Sequence, residues 1–159
     1  MPVNKNVILD PAAHDFDLFG SPFYLIAHAD FQYHEDVEAV LVKNGVNKSI
    51  YRILTVLRAQ ENISISGLAQ HALIKRNTVG RLIERMAQMQ LVTTFLSPDD
   101  NRVTIVTLTP EGRKLLDRLT PVVARQTIRA MEGLNQEQLQ AFVKTLRHII
   151  KNLDRLGIE

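Results

Sequence analysis

The chain has no cysteine. That absence removes disulfides, thiolate metal sites and thiol-based redox sensing together, and it fits a reduced, cytoplasmic setting. No apolar run reaches the ~18 residues that a membrane helix needs. Residues Met1 to Asp10 lack the basic start and following apolar stretch of a secretory signal. Enzyme signatures are missing too. There is no P-loop, no G-x-G-x-x-G, no H-E-x-x-H and no G-x-S-x-G, and no pair of acids stands in a catalytic context. No enzymatic activity and no cofactor are expected. Tryptophan is absent, and the nine aromatic residues are six Phe and three Tyr. Internal repeats and low-complexity segments are also lacking.

What is present suits a folded domain. Hydrophobic residues make up 45% of the 159, enough for a core, and the 23% that are charged do not give the composition of a disordered chain. Net charge is only +2, but it is unevenly spread. Residues 1–45 hold two bases and seven acids, whereas residues 71–90 hold Lys75, Arg76, Arg81 and Arg85 against Glu84 alone. A locally basic segment in a nearly neutral chain is what contact with nucleic acid requires. Taken alone, it equally describes a solvated helix face.

The order of elements narrows the choice. Residues 1–20 read as an irregular arm. Ser21-Pro22 opens a helix, with serine as cap and proline at the first helical position, and Asn44-Gly45 ends it. A second helix near Asn47 to Gln60 places Ile50, Ile53, Leu54 and Leu57 on one face. Ser64 caps a short third helix with Leu68 and Ala69 inward. A fourth helix, about Lys75 to Met89, buries Val79, Leu82, Ile83 and Met86. A short helix, a tight turn and a longer helix give the helix-turn-helix outline.

Leu91–Leu96 and Val103–Leu108 then change to strand composition around the polar turn 97–102, so a β-hairpin follows directly. Thr109-Pro110 restarts a helix that should reach about Glu132. Asn135 caps a last helix, with Gln138 placed for a capping box and Leu134 for a staple onto Leu139. Leu139, Phe142, Leu146, Ile149, Leu153 and Leu156 form a heptad seam, which suits packing along another helix in a second copy or within the same chain.

In the fourth helix the buried stripe leaves Arg76, Asn77, Gly80, Arg81 and Glu84 on or near the other side. A helix fits the major groove, where arginine reads guanine and asparagine reads adenine. Asn77 and Arg81 are therefore the base-reading candidates. Lys75, Arg76 and Arg85 suit phosphates, as does Thr78 near the helix start. Gly80 costs about 1 kcal/mol relative to alanine inside a helix, which fits close approach of DNA to the backbone or tolerated drift. Arg102 at a hairpin tip suits the narrow, electronegative minor groove, with Asp100 two residues earlier to orient it. The alternative for that pair is an ordinary surface ion pair.

These segments resemble the multiple-antibiotic-resistance regulator (MarR) family. The match is carried by Leu68-Ala69, by Thr78 to Met86 as the recognition helix, by Leu91-Val92, by the acid-x-Arg of Asp100 and Arg102, and by Leu108-Thr109-Pro110-Glu111-Gly112. It spans roughly residues 20–155. Four positions depart from the family pattern. Gln90 stands where glycine is frequent, Thr93 and Thr94 where an arginine is usual, Gly80 where serine or threonine is usual, and Gly67 in place of a glutamate.

The resemblance implies a mainly α fold with a small β-hairpin wing: a winged helix-turn-helix plus terminal dimerisation helices. The expected division is an arm at 1–20, a DNA-binding domain at 46–109, and a dimerisation region from 21–45 and 110–159. The implied function is a homodimeric transcriptional regulator, in the repressor sense, on pseudo-palindromic operator DNA with half-sites ~10 base pairs apart.

Proteins of this kind hold small aromatic effectors between the dimerisation helices and the DNA-binding lobe. Six of the nine aromatics fall in residues 16–33, and Tyr24, His28 and Phe31 share one helix face, with Tyr51 a candidate from the second helix. This set suits an aromatic acid or its coenzyme A thioester, or else plain core and dimer packing. Two other readings stay open: a winged module that binds protein without DNA, and a metal-responsive regulator. For the latter, only Asp30 and His34 could share an ion, with His14 joining only by a fold-back, and two ligands fall short of a zinc site. No metal residues are assigned.

Overall fold

A computed structural model describes residues 7–154. It contains α1 (Pro22–Lys43), α2 (Lys48–Ala59), β1 (Ile63–Ser64), α3 (Ile65–Ala72), α4 (Arg76–Gln88), β2 (Val92–Leu96), β3 (Thr104–Leu108), α5 (Pro110–Ala130) and α6 (Gln136–Leu153). The chain divides into two compact units, residues 1–126 and 127–159. No helix among the described residues is long and apolar enough to cross a membrane.

Local chemistry sets most of the boundaries. Asn47 caps α2 by accepting from the Ile50 N–H at 3.0 Å, and Ser64 caps α3 by accepting from the Gly67 N–H at 3.1 Å. Asn135 and Gln138 form the expected reciprocal capping box, both bonds at 2.9 Å. Ser21 behaves differently from expectation. Its hydroxyl donates back to the Leu18 carbonyl at 2.8 Å and does not cap α1, because the preceding turn offers an acceptor before the helix offers a donor. Pro22 alone starts the helix, its fixed φ suiting the first position.

The periodic residues of the first unit meet in one core. Ile50, Ile53, Leu54, Leu57, Leu68, Val79, Met86 and Val106 have no more than trace exposure, joined by Ile83, Leu108, Leu115, Leu116 and Leu119. Each such side chain contributes about 1.5–3 kcal/mol on burial. Leu82 and Ala69 are only partly buried and pack against this cluster from its edge.

The three strands form one antiparallel sheet in the order β1-β3-β2. β1 is the one element not foreseen. Two residues are too few to show alternation, and they become a strand only because Ile63 and Ser64 pair with Val106 and Ile105, far along the chain. In the second unit, α6 buries none of its residues. Its seam is half-buried at Leu139, Leu146 and Ile149 and exposed at Phe142 and Leu153. Leu156 and the end of the 110–159 span lie outside the described residues, as does the start of the 1–20 arm.

Candidate nucleic-acid interface

The turn between α3 and α4 is made by Leu73 in the left-handed conformation (φ 55°, ψ 43°), with the Ile74 N–H returning to the Ala69 carbonyl at 3.1 Å. This geometry usually falls to glycine, and a Cβ there is strained. The Leu73 side chain is 80% exposed, so packing does not repay the strain. Beyond the turn, Val79, Ile83 and Met86 are buried and fix the rotation of α4 about its axis. Lys75, Arg76, Asn77, Thr78, Arg81 and Arg85 are all left exposed. Lys75 is the N-cap and supplies no side-chain cap. The first N–H groups of α4 therefore keep the partial positive charge that suits a phosphate.

The hairpin is anchored at its base and organised at its tip. At the base, the Thr109 hydroxyl donates to the Gln90 carbonyl and accepts from the Gly112 N–H, and the Thr109 N–H donates to the Leu91 carbonyl at 3.1 Å. Gln90 has φ +58°, which accounts for the glycine frequent there in the family. Gly112 is required by close packing: a Cβ on it would run into the Leu91 backbone carbonyl.

At the tip, Arg102 donates from Nε to Asp100 Oδ1 at 3.0 Å and from Nη2 to Oδ2 at 3.1 Å, while its backbone N–H donates to Oδ1 at 3.0 Å. These bonds hold the Asp100 carboxyl below its ordinary range and push the Arg102 guanidinium up. The Arg102 side chain is nevertheless 89% exposed, so it is oriented without being occluded.

Tip and helix come together. A cleft of about 250 Å³ is lined by Arg76, Asn77 and Gly80 of α4, by Ser66 at the start of α3, and by Arg102 and Thr104 of the hairpin. Lys75, Thr78, Arg81 and Arg85 extend the exposed basic face of α4 beyond it. Ser64, whose hydroxyl caps α3, and Ser66 were not among the sequence candidates, although the Ser-x-Ser at a helix start could have signalled them. A Cβ on Gly80 would meet nothing within 4 Å. Packing within the chain therefore does not demand glycine at this position.

The aromatic face of α1 is less unified. Tyr24 meets His28 edge to face at 5.8 Å and Phe19 likewise at 5.2 Å, while Phe31 is exposed. Tyr51 packs half-buried against the core. Burial pushes its hydroxyl up, Tyr33 adds to this, and Arg58 opposes it. The α1 aromatic that acts on Tyr51 is thus Tyr33, which sequence reasoning did not single out.

Asp30 is engaged twice, by Lys48 Nζ at 3.2 Å and by His34 Nδ1 at 3.2 Å. His34 Nδ1 also lies 2.6 Å from the Asp30 carbonyl oxygen. Desolvation raises the Asp30 carboxyl, but the Lys48 hydrogen bond and the charges of His34, Lys48 and Arg52 outweigh it and leave it lowered. Among the described residues no three side chains are grouped to hold a metal ion.

A helix-turn-helix whose second helix is basic, followed at once by an anchored hairpin with an arginine at its tip, defines a winged helix-turn-helix DNA-binding protein. Residues 46–104 match the MarR family. The transcriptional repressor IacR of Pseudomonas putida is 32% identical over 147 residues, covering 92% of this chain and 88% of that protein. A MarR-family regulator from Silicibacter pomeroyi has a similar crystal structure, with a TM-score of 0.81, 26% identity and coverage of 90% of this chain and 96% of that one. BpsR of Bordetella bronchiseptica, whose DNA binding is regulated by 6-hydroxynicotinic acid, has a TM-score of 0.75 at 25% identity, covering 84% of this chain and 96% of that one. The chain belongs to the MarR family. It is a DNA-binding transcriptional regulator and not an enzyme.

Proposed function

We propose that the protein is a repressor that binds a pseudo-palindromic operator as a homodimer and leaves it when a small aromatic acid, free or as its coenzyme A thioester, is bound. The observation that carries the DNA half is the shared cleft of Arg76, Asn77 and Gly80 with Arg102. One docking pose can then place α4 in a major groove and the wing in the adjacent minor groove. Asn77 and Arg81 read base edges. Lys75, Arg76, Thr78 and Arg85 bind phosphate, and Asp100 aims Arg102.

Residues 46–109 form the DNA-binding part, and α1, α5 and α6 supply the dimerisation region. The exposed apolar residues of α6 support that assignment. Operator access places the protein in the cytoplasm.

The effector half rests on Tyr24, His28 and Phe31 of α1 and Tyr51 of α2, which offer apolar surface and a few polar atoms for orientation. Regulation of the similar BpsR by an aromatic acid supports that ligand class. A ligand favouring a lobe spacing that cannot bind DNA would release the operator by linkage.

The experiment is selection of bound duplexes from a random pool, repeated with Arg102→Ala. An enriched inverted repeat, bound more weakly by the variant, is the expected result. Enrichment of a single asymmetric site would remove the dimeric reading. Thermal-shift titration with aromatic acids should then show stabilisation, and none would remove the effector reading.

A further inference from the structure

The wing has the wrong charge for its place. From Leu91 to Leu108 the hairpin carries one base, Arg102, against Asp99 and Asp100. Arg102 is held by both oxygens of Asp100. The ribbon is therefore net negative, and Coulomb attraction does not draw it as a whole to a polyanion. Neither β2 nor β3 has a charged side chain.

What the ribbon offers instead is apolar. Phe95 is 44% and Leu96 59% exposed. They occupy the last two register pairs before the tip, opposite Ile105 and Thr104. Successive strand residues point to opposite faces, and paired residues share one. Leu96 thus shares the face of Thr104, which lines the cleft with Arg76 and Asn77, and Phe95 takes the other face. Burial in the core explains neither side chain. Val92, Val106 and Leu108 make that contact lower on the ribbon.

We propose that Phe95 and Leu96 are DNA-contacting residues that pack against the sugar edges of the two walls of the groove entered by Arg102. Minor-groove-binding proteins commonly set apolar side chains, Phe and Leu among them, beside the arginines that read that groove, there as wedges between base steps. Leu96 is paired with Thr104 of the cleft, both Phe95 and Leu96 lie at the end of the ribbon next to the turn that carries Arg102, and the pair supplies the attraction that the wing's net charge withholds. Its contribution is not screened by salt. The inference rests on the DNA interface proposed above and adds to it the contacts that hold the wing.

The test uses Phe95→Thr and Leu96→Thr, because threonine keeps the strand preference, beside Leu96→Met and Arg102→Ala. Affinity for a duplex enriched by the unmodified protein is measured across a salt series. Each threonine variant should bind about tenfold more weakly with the slope of log affinity against log salt unchanged. Leu96→Met should bind like the unmodified protein. Arg102→Ala should instead flatten the slope by about one.

Threonine variants that bind with full affinity overturn the inference. So does weakened binding accompanied by a change in molecular mass in light scattering, which assigns the pair to a contact between copies. An unmodified protein that enriches no duplex strikes the DNA interface itself, a different result from either.

Discussion

Helices α4 and α6 carry equally clear amphipathic patterns, and they meet different fates. The apolar stripe of α4 is buried at Val79, Ile83 and Met86, while α6 buries no residue at all. A helical stripe therefore guarantees that a partner is needed, not that the same chain supplies it. For α4 the partners are α3 and strand β2, which leaves its basic side free to work. For α6 the exposed apolar side chains are the surface that the proposed dimerisation would cover.

The comparison is tested most strongly by truncating one residue in each region. Leu68→Ala, in the core beneath the recognition helix, should cost about 2–5 kcal/mol. Denaturation should find the same loss at every protein concentration. Phe142→Ala on α6 should instead cost stability only where the unmodified protein is associated, so that the loss shrinks as the protein is diluted over about a hundredfold range, since a shared interface links stability to concentration. A concentration-independent loss in Phe142→Ala would break the contrast.

Two glycines sharpen it at the next scale. Gly112→Ala should destabilise by about 1–3 kcal/mol, because the obstacle is the Leu91 carbonyl, which is backbone. Gly80→Ala should stabilise by about 1 kcal/mol in urea titration, since a Cβ there meets open space. If DNA approaches the α4 backbone at that point, the more stable Gly80→Ala variant binds operator more weakly. Full affinity would make the glycine neutral drift.

The smallest effect concerns Asp30. Its folded pKa is lowered, so its stabilising contribution is complete above the ordinary carboxylate range. That contribution is lost as the pH falls through the lower folded value. Lys48→Met should raise the Asp30 pKa, read by carboxyl chemical shift, and shrink the loss of stability in acid. The ion pairs are solvent-exposed, so the change in stability should be slight. An unmoved Asp30 pKa would show that Lys48 is not its partner.

Much of the site could be read without coordinates because it is local. The rotation of α4 follows from the spacing of Val79, Ile83 and Met86, which is why every basic candidate on that helix is exposed. The bond between Asp100 and Arg102 spans two residues and follows from the turn. What escaped were features made by distant segments. β1 exists only through pairing with β3, burial of Tyr51 against the core raises its hydroxyl with Tyr33 adding to the shift, and Ser66 belongs to the cleft only because the hairpin comes beside the start of α3. The cap expected at Ser21 failed for the opposite reason, since a nearer carbonyl won the hydroxyl.

Sequence alone settled the helices, the caps at Asn47, Ser64 and Asn135, the hairpin and which face of α4 stays polar, because hydrogen bonds and apolar periodicity within ten or so residues decide these. Contacts between distant segments set the rest: that Arg76, Asn77 and Arg102 border one cleft, that Gly112 and not Gly80 is demanded by packing, and that Leu96 shares a ribbon face with Thr104 while Phe95 takes the other. Those outcomes depend on strand register and on contacts between segments tens of residues apart, and no local pattern encodes them.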